Sequence, residues 1–187
     1  MGTGKSTVSA YLKQKNIPIV DADAISREVT APGAPLLADI KILLGEEVFH
    51  KDGTMNRQAV ANKIFADSNL LKAYESLVTA EVVRLCEEGI NKEKEQGKSP
   101  LIVLDAPLLF ETGCHLFTDE VWLVDADLRV RLERIKARDG LSEDAIMDRI
   151  RRQMSTDEKK NLSDYVIDNS GDLEHLYTQV ENLLGKE

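Results

Sequence analysis

Cysteine and histidine are scarce in this sequence, and neither is arranged for disulfide or metal chemistry. The two cysteines, Cys86 and Cys114, stand 28 positions apart and do not form a C-x-x-C pair. The three histidines, His50, His115 and His175, share no ligand spacing such as i, i+4 on a helix. We therefore expect reduced, structural cysteines and no metal site built from protein side chains alone.

Long apolar runs and an excess of positive charge are also lacking. No window approaches the ~18 apolar residues of a membrane span, and the N-terminus has no basic segment followed by an apolar run, as a secretory signal would. With 33 acidic and 24 basic residues the net charge is −9, which disfavours nucleic-acid binding because phosphate contacts need clustered Lys and Arg. We expect one cytoplasmic domain, since 187 residues can bury a sizeable core.

The first residues, MGTGKSTVSAYL, contain the second half of a phosphate-binding motif. The complete motif, G-x-x-x-x-G-K-[ST], places its first glycine upstream of Met1. A glycine loop that runs into a helix directs backbone N–H groups and the positive end of the helix dipole at a phosphate. Lys5 would add a cation for the β and γ phosphates, and the Ser6 hydroxyl would be a Mg²⁺ ligand. The amphipathic helix and the D-A-D strand end that follow favour this interpretation over a flexible polar N-terminus.

Four short apolar runs rich in β-branched residues predict buried strands, each reaching an acidic residue near its end. Such strands, separated by helical segments, are typical of a parallel sheet covered on both faces, so the predicted fold class is α/β. Carboxylates at strand ends lie where α/β proteins bind ligands. The runs are residues 17–23, 100–107, 120–126 and 164–171.

The chain between residues 34 and 97 shows apolar residues at three- and four-residue spacing without a convincing strand. This spacing predicts an all-helical subdomain of about 65 residues. Residues 1–33 and 98–187 would then form the nucleotide-binding core.

One segment of this acidic chain is basic. Residues 127–152 carry eight Lys or Arg and six Asp or Glu, and arginines brought over a nucleotide can offset the charge of a transferring phosphoryl group. We interpret residues 127–155 as a lid; the alternative is a surface helix with ion pairs. Arg138 precedes the turn D-G-L-S, and Arg149 and Arg152 lie on the next helix, so the turn can bring them together.

Three carboxylates are candidate catalytic or ligand groups. Asp21 and Asp23 occupy alternate positions at a strand end, so the pleat would turn both to one side; the alternative is that one of them only caps the next helix. A carboxylate beside the phosphates can accept the hydroxyl proton and orient the nucleophile, and we favour Asp23. Asp105 could hold a Mg²⁺-bound water or a substrate group, or cap a turn.

Seven segments resemble, in order and approximate spacing, those of dephospho-CoA kinases over essentially the whole chain. Two of them, DADAISREV and DAPLLFE, separate this family from other small P-loop kinases better than the phosphate loop does. The resemblance implies a P-loop kinase fold and transfer of the ATP γ-phosphoryl group to the ribose 3′-hydroxyl of dephospho-CoA, the last step of coenzyme A synthesis. The segments are GTGKST, VDADAISREV, APGAPLL, DGTMNRQAVANKIF, DAPLLFE, RIRRQM and DYVIDNSG.

The resemblance also implies roles for single residues, with ATP and Mg²⁺ as cofactors. It makes Asp23 the base or hydroxyl-orienting group and places Asn169 near the adenine. ATP phosphates would be bound by Gly2, Thr3, Gly4, Lys5, Ser6 and Thr7. The catalytic set is then Asp23, Lys5, Arg138 and Arg149, and the substrate-binding set is Asp21, Arg27, Arg57 and Asp105.

Two departures from the family pattern bear on activity. The family supplies a strand and a T-G-G segment before the residue equivalent to Met1, and that strand is central in the sheet of related kinases. Without it two neighbouring strands lose their shared partner, which predicts an N-terminally truncated chain with low stability or activity. A His-Pro pair of the family is replaced by Thr79 and Ala80, which predicts weaker acceptor binding.

Two alternative functions stay open. Another small-metabolite or nucleoside monophosphate kinase would share the loop and the lid, but not the pair DADAISREV and DAPLLFE. A non-catalytic nucleotide-binding or coenzyme-A-binding module would fit the half motif, but the presence of Lys5, Ser6 and Asp23 disfavours it.

Overall fold

A computed structural model describes residues 1–151 and 153–186. The chain divides into a core unit, residues 1–19 and 99–187, and a helical unit, residues 20–98. The helical unit thus begins before the boundary expected at residue 34, and the functional division of the chain stays a prediction.

The core unit contains the helix that follows the glycine loop and the strands and helices of the C-terminal half. All four predicted strands are confirmed, and each is shorter than its apolar run. The elements are α1 (Lys5–Gln14), β1 (Ile19–Asp21, which continues into the helical unit), β2 (Val103–Asp105), β3 (Trp122–Asp125), α6 (Leu128–Asp139), α7 (Glu143–Arg151), α8 (Thr156–Leu162), β4 (Tyr165–Asp168) and α9 (Leu173–Leu184). A 3-10 turn, Cys114–Phe117, lies between β2 and β3.

The strands form two separate pairs. β3 and β4 are parallel, in a register that runs from Trp122 opposite Tyr165 to Asp125 opposite Asp168. β2 pairs with β1, and just before β1 the Pro18 carbonyl accepts a 2.9 Å hydrogen bond from the Val103 N–H. No strand in the described part of the chain joins β2 to β3. The low stability or activity expected from the sequence stays a prediction.

Helices α1 and α9 pack together, and α9 packs against β4. Ile167, Leu176 and Val180 are fully buried, so the amphipathic face of α9 covers the β3–β4 pair. This core fixes the start of α1 in relation to the ends of β3 and β4. Its buried members are Val8, Leu12, Val124, Ile167, Leu176, Val180 and Leu183.

The helical unit has its own apolar core. Its helices are α2 (Ala22–Glu28), α3 (Leu36–Leu44), α4 (Arg57–Ala66) and α5 (Ser68–Gln96). The buried residues of its core are Val29, Leu36, Leu37, Ile40, Leu44, Val48, Val60 and Ile64. One antiparallel bridge joins Phe49 to Met55. Among the residues described, no helix combines the length and apolar character needed to cross a membrane.

Candidate functional site

The glycine loop at the start of α1 has the backbone conformation of a phosphate cradle. Gly2 and Gly4 both have positive φ angles, +72° and +88°, which favour glycine because a side chain would be strained there. Gly4 is the N-cap residue and brings no side chain to the end of the helix. The positive end of the helix dipole at Lys5 is therefore available to an anion.

Asn169 holds this loop from the other side. The Asn169 side chain is 3% exposed, its Nδ2 donates to the Thr3 carbonyl at 2.7 Å, and its backbone N–H donates to the Asp125 carbonyl at 2.7 Å. One residue thus fixes the glycine loop to the end of β3. The contact with adenine that the resemblance implies for Asn169 stays a prediction.

Gly4→Ala is expected to lower thermal stability and ATP affinity together. A Cβ on Gly4 would collide with Nδ2 of Asn169, and a non-glycine residue in this conformation costs about 1–3 kcal/mol. Gly53→Ala is the matched control, because Gly53 has φ +82° with open space around its Cβ position. Thermal unfolding and ATP titration calorimetry would measure both effects. If the Gly4 variant loses no more stability than the Gly53 variant and keeps its ATP affinity, close packing of this loop contributes neither to stability nor to ATP binding.

Asp105 lies beside the first turn of α1. Its carboxylate is 9% exposed, forms an ion pair with Lys5 and accepts a 2.6 Å hydrogen bond from Ser9 Oγ. Because Lys5 and Ser9 are four residues apart, they share one face of α1. The structure thus brings together the predicted phosphate lysine and the predicted strand-end carboxylate; Ser6, which follows Lys5 in α1, is exposed.

Helix α6 carries two arginines that sequence reasoning did not single out. Arg131 is 7% exposed and donates to the Met1 carbonyl at 3.0 Å and to Thr156 Oγ1 at 3.2 Å. Arg134 places Nη1 3.8 Å from where a Gly4 Cβ would be, and this buried atom has no hydrogen-bond partner among the described residues. Their spacing with Arg138 (i, i+3, i+7) puts all three on one helix face, a signal that the sequence contained.

Three basic side chains act on the charge of the Met1 α-amino group, at the start of the glycine loop. The pKa of the Met1 α-amino group is lowered to about 6, first by burial and then by Arg131, Lys159 and Arg138. Burial disfavours the charged form of any group, so only the part of this shift that comes from the three basic side chains reflects nearby positive charge.

The charges of two predicted lid arginines, Arg138 and Arg149, both act on the Asp139 carboxylate. Arg138 donates to Asp139 through Nε at 2.7 Å and through Nη2 at 2.9 Å. The pKa of Asp139 is lowered, chiefly by the Arg138 hydrogen bonds and further by the charge of Arg149. The roles of Arg138 and Arg149 in a lid stay predictions; Arg152 lies outside the described residues.

The pleat argument for Asp21 and Asp23 is wrong. β1 ends at Asp21, and Asp23 lies in the first turn of α2. The Asp21 side chain accepts the Ala24 N–H at 2.9 Å, so Asp21 is the helix cap that the sequence left as an alternative. An N-cap carboxylate stabilises the first turn of a helix, which ends the strand earlier than the apolar run suggests.

The remaining candidates are exposed residues of the helical unit. Asp23 is exposed in the first turn of α2, and Arg27 is exposed in its last turn. Arg57 is the exposed first residue of α4. Their roles toward an acceptor stay predictions.

The core unit therefore combines a glycine loop at a helix start, a lysine paired with a strand-end carboxylate, and a basic helix beside the glycines. These features define a P-loop nucleotide-binding protein of the kinase type.

Comparisons with known proteins give the family. The family model described as dephospho-CoA kinase matches residues 1–175. A dephospho-CoA kinase of Shouchella clausii is 38% identical over all of this chain and 94% of the relative. One of Carboxydothermus hydrogenoformans is 36% identical over all of this chain and 90% of the relative. The chain belongs to the dephospho-CoA kinase family.

Solved structures support the fold. The crystal structure of TT1252 from Thermus thermophilus has a TM-score of 0.80 and 35% identity, covering all of this chain and 93% of that one. A dephospho-CoA kinase from Campylobacter jejuni has a TM-score of 0.73, covering all of this chain and 95% of that one, and at 20% identity it supports the fold alone. The α/β P-loop kinase fold predicted from the sequence is confirmed.

Proposed function

We propose that this chain transfers the γ-phosphoryl group of ATP to the ribose 3′-hydroxyl of dephospho-CoA, giving coenzyme A and ADP, in the cytoplasm. Membership of the family supports the choice of acceptor. The observation that carries the proposal is the glycine loop at the start of α1, which is held by Asn169 and whose Lys5 is paired with Asp105.

ATP would replace the ion pair at the start of α1. Lys5 would leave Asp105 for the β and γ phosphates, while the loop amides and the helix dipole hold the phosphate oxygens. The same exchange would free the Asp105 carboxylate for a second ligand, so that no buried charge is left without a partner.

The residues at the loop fit a magnesium ion that arrives with the nucleotide. Within the part of the chain that the structure describes, no three His, Cys, Asp or Glu side chains form a metal-binding group. Mg²⁺ commonly takes one or two carboxylates together with substrate phosphates and several waters, and the Ser6 hydroxyl and the Asp105 carboxylate offer such oxygens. The ion, when bound, would neutralise charge on the β and γ phosphates.

The chemical step would break one P–O bond and form another. The ribose 3′-oxygen attacks the γ phosphorus, its proton goes to the Asp23 carboxylate, and the bridging oxygen leaves with ADP and its electron pair. Arg138 and Arg149 of the lid would offset charge on the transferring group, and Arg134 would contact the nucleotide beside Gly4. Arg27 and Arg57 would face the acceptor.

An acceptor comparison tests this function. ADP release would be measured with dephospho-CoA, AMP and a panel of nucleosides and sugars at equal concentrations, with acceptor-free ATP hydrolysis as the baseline. We expect dephospho-CoA to give the highest kcat/KM of the panel. A preference for AMP or a sugar would assign the chain to another kinase activity, and release no faster than the baseline with every acceptor would favour a binding module.

A further inference from the structure

A partly buried ion pair joins the loop after β2 to the segment that follows α7. Glu111 lies in this loop, residues 106–113, and its carboxylate accepts Lys159 Nζ at 2.8 Å and the Met154 N–H at 3.1 Å. Lys159 Nζ also donates to the Pro107 carbonyl at 3.2 Å. We name this set of contacts the Glu111–Lys159 clasp.

The clasp is better shielded from solvent than most ion pairs of the described chain. The Lys159 side chain is 13% exposed and that of Glu111 is 24% exposed, whereas Lys15 and Glu181, another pair of the core unit, are 36% and 44% exposed. Shielded, charge-assisted hydrogen bonds are stronger than exposed ones. Burial raises the pKa of Glu111, but the Lys159 hydrogen bond and the Met154 N–H lower it on balance, so the carboxylate is charged at neutral pH.

The clasp lies between the end of the predicted lid and the loop that follows β2. Met154 lies three residues after Arg151, where α7 ends, and Lys159 is in α8, so Glu111 contacts the last residues of the predicted lid. Pro107 is two residues after Asp105, the partner of Lys5. One network therefore connects the exit of the lid to the loop that begins beside the phosphate lysine.

We propose that Glu111 and Lys159 are positioning residues, which anchor the exit of the lid to the loop 106–113 so that nucleotide binding and lid closure are coupled. The inference rests on the proposed function for the role of the lid, but not on the identity of the acceptor. When ATP draws Lys5 from Asp105, the loop that follows Asp105 adjusts, and the clasp transmits this change to Met154 and so to α7.

The test combines lid protection with kinetics in full-length protein. Hydrogen exchange of residues 140–151 would be measured with and without Mg²⁺-ATP, no acceptor being present, in wild type, Glu111→Gln, Lys159→Met and the double variant. Glu181→Gln is the matched control, because Glu181 also accepts two side-chain donors, Lys15 and Tyr11, far along the chain from the lid. Lys159→Arg, which keeps the charge, serves as the conservative variant, and Lys159→Gln replaces Lys159→Met if that variant does not fold.

We expect ATP to protect residues 140–151 in wild type and in Glu181→Gln, and to protect them much less in the clasp variants. With the preferred acceptor, kcat should fall about 2- to 30-fold, the range for side chains that couple two elements without touching substrate. Lys159→Arg should restore most of the ATP-dependent protection and most of kcat. The double variant should have a kcat no lower than that of the less active single variant.

Three results would overturn the inference. The clasp variants could lose melting temperature alone and keep ATP-dependent protection and kcat, as a purely structural pair would. The double variant could show the product of the two single losses, which would mean that the residues act independently. Wild type could show no ATP-dependent protection at all, which is a result separate from the choice of acceptor.

Discussion

Asp23→Asn is expected to lower turnover with dephospho-CoA by about 10²-fold or more, because general-base catalysis contributes at least this much. The substitution keeps the size of the side chain and removes its ability to take the 3′-hydroxyl proton. Asp23 is exposed in the first turn of α2, so the lost interaction with the helix dipole would cost only about 0.3–1 kcal/mol. The melting temperature should therefore change little, whereas kcat should fall sharply.

The control for this variant is Asp39→Asn. Asp39 is also an exposed carboxylate in the first turn of a helix, α3, and has no proposed part in the reaction. Initial rates of ADP release and thermal unfolding would be measured for both variants. Turnover of Asp23→Asn within about twofold of wild type would show that another group accepts the proton.

Lys5→Met is expected to lower kcat/KM for ATP by about 10²- to 10³-fold, the effect of removing one preorganised donor from a transferring group. It should also reduce stability, because the Asp105 carboxylate is 9% exposed and would lose its cation. Since the Lys5 side chain is itself 34% exposed, the loss should be about 1–3 kcal/mol, less than for a fully buried pair. Lys13→Met, an exposed change on the same helix, is the control and should affect neither property.

A double variant separates the two effects of Lys5. In Lys5→Met/Asp105→Asn the unpaired charge is removed and Ser9 keeps an acceptor at this position, so thermal stability should recover relative to Lys5→Met. Activity should stay at or below that of the single variant, because no cation reaches the phosphates. Recovery of activity with stability would mean that Lys5 acts only by holding Asp105.

The strands and the first helix of the core unit can be predicted from the sequence because they depend on patterns of neighbouring residues. β-branched runs predicted the strands, and the glycine loop predicted the start of α1. The end of β1 at Asp21 cannot be predicted in this way, because a carboxylate after an apolar run is compatible both with a strand end and with a helix cap. The contact with the Ala24 N–H decides between them.

The candidate functional site can be predicted only in part from the sequence. Lys5, Ser6 and Asp105 follow from the motif and from the strand end. The spacing of Arg134 with Arg131 and Arg138 is visible in the sequence, but its buried nitrogen beside Gly4, which has no partner among the described residues, depends on how α6 packs. Contacts between distant residues, such as that of Asn169 with Thr3, exist only in the folded chain and leave no local pattern.

The position of the transferred phosphate tests the central claim most directly. Dephospho-CoA would be incubated with Mg²⁺-ATP and the protein, and the product would be identified by mass spectrometry and by ³¹P–¹H correlation NMR. The account predicts one added phosphoryl group whose phosphorus couples to the ribose H3′, with one ADP formed per product molecule. Phosphorylation at any other position, or ADP formed without a phosphorylated acceptor, would contradict it.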